Sequence, residues 1–202
     1  NPSIRETKKW PHIVQLSYIL YNTEERRVMM YNDDIIRIPE DVKISEKSSS
    51  LHGITMSMCK RKGISMRNAL NNFNITLKEA DLVIGHNISF DKRMVMVESI
   101  RNNMSQYFTV DGVRKREFCT MKNSVDICKI EKLSPEGEKY YKYPSLTELY
   151  TKLFNNVPRN IHNSLVDVIM CLRCYCWLFE NYDVMKTKCN LIKTLYKLTM
   201  DN

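Results

Sequence analysis

Hydrophobic and polar positions along the chain change period as it runs. His12 to Tyr21 is β-branched, aromatic and partly alternating, which predicts a strand. After the polar Asn22-Thr23-Glu24-Glu25, residues Arg26 to Ile38 predict its hairpin partner, with a bulge or turn at Asn32-Asp33-Asp34. Pro39 ends that ladder, because it has no N–H to lend to it. Residues 40–50, with serines at 48, 49 and 50, read as a polar loop, and Gly53 follows as a residue free to take a positive φ.

From Ser65 the apolar residues recur at helical spacing. Met66, Ala69, Leu70, Phe73 and Leu77 predict a helix that ends near Ala80. Leu82-Val83-Ile84 predicts a short buried strand, and Gly85 turns it into a helix from about Ile88 to Arg101. Residues 105–117 read as a basic loop, Phe118 to Met121 as another short strand, and 123–143 as irregular. After Pro144, Ser145 and Glu148 form the capping-box pattern that opens a helix. Apolar residues are so dense from Ser164 to Asn181 that this helix belongs to the core, and 186–200 predict an amphipathic tail helix. Strands first, then helix and strand in alternation, imply an α/β fold: a mixed sheet with helices packed on its faces. No repeat and no linker rich in Pro, Gly or Ser divides the chain. One domain over residues 1–180 is expected, with 181–202 as a C-terminal helix packed on it.

Composition narrows the class. Hydrophobic residues are 43% of the 202 positions, which suits a globular domain with a sizeable core. No apolar run approaches the roughly 20 residues of a membrane helix, and no signal-peptide pattern opens the chain. An intracellular, soluble protein with no membrane partner is expected. The net charge of +8 favours polyanions such as phosphate backbones, although the basic residues are dispersed rather than gathered in a tail. Cys171, Cys174 and Cys176 cluster in one predicted helix beside Leu172, Trp177 and Leu178, with no second Cys-x-x-Cys pair. They read as buried small hydrophobes in a reducing compartment rather than as zinc ligands or disulfides.

Two motifs carry candidate chemistry: Gly85-His86-Asn87-Ile88-Ser89-Phe90-Asp91 and His162-Asn163-Ser164-Leu165-Val166-Asp167. They offer two carboxylates and an imidazole where loops give way to helices, a set that suits metal-assisted phosphodiester hydrolysis. Taken alone, Asp91 is more often a surface residue paired with Lys92 or Arg93, Asn87 a helix cap, and His162 a hydrogen-bonding loop residue. Asp167 is harder to set aside. Flanked by Leu165, Val166, Val168 and Ile169, it needs a partner or a cation to offset desolvation. His162 and Asp167 would stand about 500° apart on one helix, so they share a cleft only if His162 lies on the preceding loop.

In combination these residues resemble the DEDDh-type (DnaQ-like) 3′–5′ exonucleases of the ribonuclease H-like superfamily. Asn87-x-x-Phe90-Asp91 after a strand is similar to that family's second motif, and His162-x4-Asp167 to its third. Ile13 to Ser17, His52 to Thr55, Ala80 to Asn87, Cys119 to Met121 and Ser145-Leu146-x-x-Leu149 follow in the same order and spacing, so the likeness covers about residues 10–180. The resemblance implies a ribonuclease H-like mixed β-sheet flanked by α-helices. It implies two divalent cations, Mg²⁺ or Mn²⁺, held in part by Asp91 and Asp167, and His162 as the base that activates water. His52, Ile54 and Asn87 would contact the substrate, a single-stranded 3′ end of DNA or RNA. A polymerase would be the partner if the role is proofreading.

The chain also departs from that pattern. Ser164 stands where the family often has alanine. The family's first motif, Asp-x-Glu on the first strand, occurs nowhere in the 202 residues, and Glu6, Glu24, Glu25, Asp33 and Asp34 lie at the wrong positions to replace it. The expectation is a nuclease domain with its first strand missing, inactive as it stands although the parent protein is an enzyme. The alternatives are a non-catalytic nucleic-acid-binding module of the same fold and an interaction scaffold that reuses it.

Overall fold

The first hairpin forms where the alternation is strongest. In the structure, a computed structural model describing residues 2–156 and 161–200, β1 (Gln15–Asn22) pairs antiparallel with β2 (Arg27–Arg37). β2 runs unbroken through Asn32-Asp33-Asp34, and its irregularity lies instead at Met29, the extra residue opposite the Leu20–Tyr21 step of β1. The polar run is tolerated because side chains bond it. Gln15 Nε2 and Ser17 Oγ donate to Asp33 Oδ1 at 2.7 and 2.6 Å, and Asn32 donates to Asp34.

The expected loop after β2 contains two short helices, α1 (Glu46–His52) and α2 (Met56–Lys62). Ser45 and Thr55 cap them by accepting the Ser48 and Met58 N–H groups, and Gly53, at φ 73°, closes α1 in the left-handed conformation. Gly63 then brings the chain against β2 so closely that a Cβ would strike the Cys59 carbonyl and the Arg37 nitrogen. That approach lets β3 (Ile64–Ser65) pair in parallel with β2.

Next come α3 (Met66–Glu79), capped by Ser65, then β4 (Leu82–Gly85) and α4 (Ile88–Arg101). The expected basic loop holds a small hairpin, β5 (Thr109–Val110) with β6 (Val113–Arg114), before β7 (Arg116–Cys119) pairs in parallel with β4. The stretch expected to be irregular contains α5 (Val125–Cys128) and a hairpin of β8 (Glu131–Leu133) with β9 (Lys139–Tyr141). The chain ends in α6 (Leu146–Phe154), α7 (Ser164–Phe179) and α8 (Asn190–Met200).

Alternate strand residues face opposite sides of a sheet, and here they divide the core. Leu82, Ile84, Ile19 and Tyr21 pack with a cluster from α6, α7 and α8 that includes Leu149, Tyr150, Ile169, Met170 and Ile192. Val83 and Leu16 pack with a second cluster from α3 and α4, including Leu70, Leu77, Val95 and Val97. Helices therefore cover both faces of a mixed set of strands. The seven cysteines are free, and burial pushes the Cys171 and Cys176 thiols up to about 12, which leaves them inert packing groups. No helix among the described residues is long and apolar enough to cross a membrane.

Candidate active site

β4 and β7 run parallel, so their carboxyl ends meet at one edge, where the Thr120 N–H donates to the Gly85 carbonyl at 3.0 Å. His86 fastens that edge. Its Nε2 lies 2.9 Å from the Pro144 carbonyl, which can only accept, so Nε2 carries the proton. Nδ1 is then an acceptor for the Thr120 hydroxyl at 3.0 Å. Burial lowers the pKa of His86 and keeps the ring neutral in this role. The next residue, Asn87, occupies the N-cap position of α4 at φ 69°, and its side chain makes no cap bond, contrary to expectation. Its left-handed backbone performs the turn, a conformation asparagine tolerates better than most residues. Asp91 follows in the first turn of α4.

The second half of the site is the start of α7. Asn163 Oδ1 accepts the Leu165 and Val166 N–H groups at 3.1 and 3.4 Å, and Gln15 Oε1 accepts the Ser164 N–H at 3.2 Å. His162 lies exposed on the loop before the helix with φ 78°, as a shared cleft with Asp167 requires. The His162 backbone and ring stand close enough to the Asp167 carboxyl to act on it, both in the lowering direction.

Asp91 and Asp167 are close enough to feel one another. Desolvation first, and the Asp167 charge after it, push the Asp91 carboxyl up to about 6. Desolvation also raises Asp167, against the lowering effect of His162. Water still reaches Asp91, so the penalty there is partial. Two carboxylates that each resist ionisation would be relieved by a cation held between them. Mg²⁺ commonly takes only one or two protein carboxylates and completes its shell with water and phosphate oxygens, so the pair fits such an ion. Among the described residues no three His, Cys, Asp or Glu side chains converge on a fuller metal site.

The structure thus sets Asp91 near Asp167, with His162 on the loop just before Asp167. Asn87 is exposed beside them, at the mouth of the turn. His52 and Ile54 form a separate turn between α1 and α2, in which His52 Nδ1 accepts the Ile54 N–H at 3.1 Å. The Ile54 side chain, 4% exposed, packs with Ile38 and Cys59, which leaves its backbone rather than its side chain to meet a ligand. The sequence reading assigned no role to Gln15, Thr120 or His86. Gln15 and Thr120 lie inside stretches that carry the family resemblance, and His86 inside the Gly85–Asp91 motif, but position alone gave none of them a role.

The sequence profile of the RNase_T exonuclease family matches residues 9–175. Among solved structures the protein is similar to Exonuclease X in complex with 5′ overhanging duplex DNA. The two are 19% identical with a TM-score of 0.54, over 91% of this chain and 90% of that one. The likeness is one of fold, the mixed α/β architecture of ribonuclease H-like exonucleases. No curated protein matches the sequence.

Proposed function

This chain belongs to the RNase_T exonuclease family, and from that premise we propose that it is a DEDDh-type nuclease domain that removes nucleotides from the 3′ end of DNA or RNA. The observation that carries the reading is the meeting of Asp91 and Asp167, from two helices far apart in sequence, with His162 against Asp167. The two aspartates would hold divalent cations, Mg²⁺ or Mn²⁺, two of them in this reading. Bound there, such ions polarise the scissile phosphate and make water a better nucleophile. His162, exposed at the lip, takes the proton of the attacking water, a task for which imidazole is the commonest side chain.

Asn87, beside the carboxylates, contacts the terminal nucleotide, and His52 with the Ile54 backbone forms the more distant contact. The net charge of +8 draws the phosphate backbone of a single strand toward the cleft. Exonuclease X is described with duplex DNA, and nucleic acid is the partner class proposed here. A polymerase partner, the proofreading form of this reading, draws on the family resemblance alone.

Asp91 and Asp167 are half of a DEDD set, so the chain as it stands is expected to bind a strand without cutting it. Mn²⁺-dependent digestion of a 3′-labelled single strand tests this, with the chain beside a version preceded by an Asp-x-Glu strand. Cutting by the extended version alone, abolished by Asp167→Ala, is the expected result. Binding without cutting by both would replace the enzyme reading with a nucleic-acid-binding module.

A further inference from the structure

The roles above leave Gln15 unused, yet its amide joins two parts of the site. Oε1 accepts the Ser164 N–H at 3.2 Å, across 149 positions of chain, while Nε2 donates to Asp33 Oδ1 at 2.7 Å. Ser17 Oγ holds the same Asp33 oxygen at 2.6 Å. Ser164 opens α7, and the first N–H groups of a helix have no partner within it. Asn163 accepts those of Leu165 and Val166 with its side chain and that of Asp167 with its carbonyl. The Ser164 N–H is left to another element, and Gln15 on β1 supplies the acceptor. Asp33 fixes which way that amide points. An ionised carboxylate only accepts, so it must face the Gln15 NH₂, and the Gln15 carbonyl is thereby aimed at Ser164. Flipping the amide would break both bonds.

We propose that Gln15 is a positioning residue: it pins the first turn of α7 to β1 and so sets where His162 and Asp167 stand relative to Asp91. The proposal rests on the reading of Asp91 and Asp167 as a divalent-cation site. The alternative is a hydrogen bond that only steadies the fold. The two differ in whether the site responds when the fold does not, and outer partners that orient metal ligands commonly carry 10–100-fold in affinity.

The test is a Mn²⁺ titration of the isotope-labelled full chain by NMR. Paramagnetic broadening around Asp91 and Asp167 reports affinity, and amide exchange of Ser164 is read in the same samples. Gln15→Leu is expected to speed Ser164 exchange at least about tenfold and to weaken Mn²⁺ about tenfold. Gln15→Glu alone sets two carboxylates at bonding distance and should behave likewise. Gln15→Glu combined with Asp33→Asn exchanges donor and acceptor across the pair while keeping an acceptor for Ser164, and should restore both readings. Asp33→Asn alone still accepts from Gln15 and serves as the folded control. Unchanged Mn²⁺ affinity in Gln15→Leu, whether or not Ser164 exchange quickens, would overturn the proposal. So would failure of the exchanged pair to restore them while Asp33→Asn behaves normally. If the unmodified chain takes up no Mn²⁺ while Ser164 exchange still depends on Gln15, the metal reading of the site fails and the pinning of α7 stands.

Discussion

Asp91 and Asp167 are partly desolvated carboxylates near one another, and that has a measurable sign. The Asp91 carboxyl is raised to about 6, and Asp167 is raised as well. A carboxyl that binds its proton more tightly folded than unfolded supports the fold fully below the ordinary carboxylate range, and loses that support as pH rises through its folded value. Asp91→Asn is therefore expected to stabilise the metal-free protein at pH 7 by about 1 kcal/mol, a figure discounted because water reaches the group. The gain should shrink as pH falls through 6 toward 4 and vanish below. Urea unfolding in EDTA across that range measures it, and a uniform gain at every pH would contradict the cause given. Residue by residue, the sequence was uneven in what it revealed. The apolar neighbours of Asp167 marked it as a carboxylate needing a partner, whereas Asp91, amid Lys92 and Arg93, could not be told from a surface aspartate without its motif. Gln15 was illegible, because nothing local signals an acceptor for an N–H lying 149 positions away.

At the scale of elements, caps and close approaches explain both what was visible and what was missed. α3, α4 and α7 keep their patterns over three turns or more and were read nearly to their ends. The Ser145–Glu148 capping box of α6 is present as expected, both of its bonds included. Ser145→Ala should cost about 1 kcal/mol by denaturant unfolding, whereas Lys139→Ala on the exposed β9 should cost little. α1 and α2 are seven residues each, too short to show a period, and owe their ends to Ser45, Thr55 and Gly53. The β5–β6 and β8–β9 hairpins are exposed at every position, so no buried alternation announced them. Gly63 is the glycine held closest to neighbouring backbone. Gly63→Ala is expected to cost about 3 kcal/mol through overlap with the backbones of Cys59 and Arg37, and wild-type stability in that variant would show that β3 docks otherwise.

For the molecule as a whole, the strands hold two helical layers apart, and the site lies where β4 ends and the first turns of α4 and α7 begin. The C-terminal segment joins this arrangement through Arg173 on α7. Its guanidinium meets Asp183 at 2.9 and 2.8 Å, donates to the Tyr150 hydroxyl and lies over the Phe154 ring. Burial alone would raise the Asp183 carboxyl, but this fork holds it below its ordinary value. Removing one partner strands the other, so Asp183→Ala is expected to cost about 3 kcal/mol in urea unfolding, and Arg173→Met with Asp183→Leu far less. The mixed α/β architecture with helices on both faces was legible from the order of the elements, but not the division of its strands into the group β1-β2-β3 and the parallel pair β4–β7. The meeting of both core clusters across single strands such as Leu82-Val83-Ile84 needed the pairings themselves. The central claim is directional hydrolysis at Asp91, Asp167 and His162. Its most direct test is the product ladder of a 5′-labelled single strand, digested in Mn²⁺ by the version carrying an Asp-x-Glu strand. Successive shortening by one nucleotide, with His162→Ala slower by about 10²–10⁴-fold at unchanged strand binding, is the expected result. Release of the 5′ label as a mononucleotide, internal cuts, or full activity in His162→Ala would contradict it.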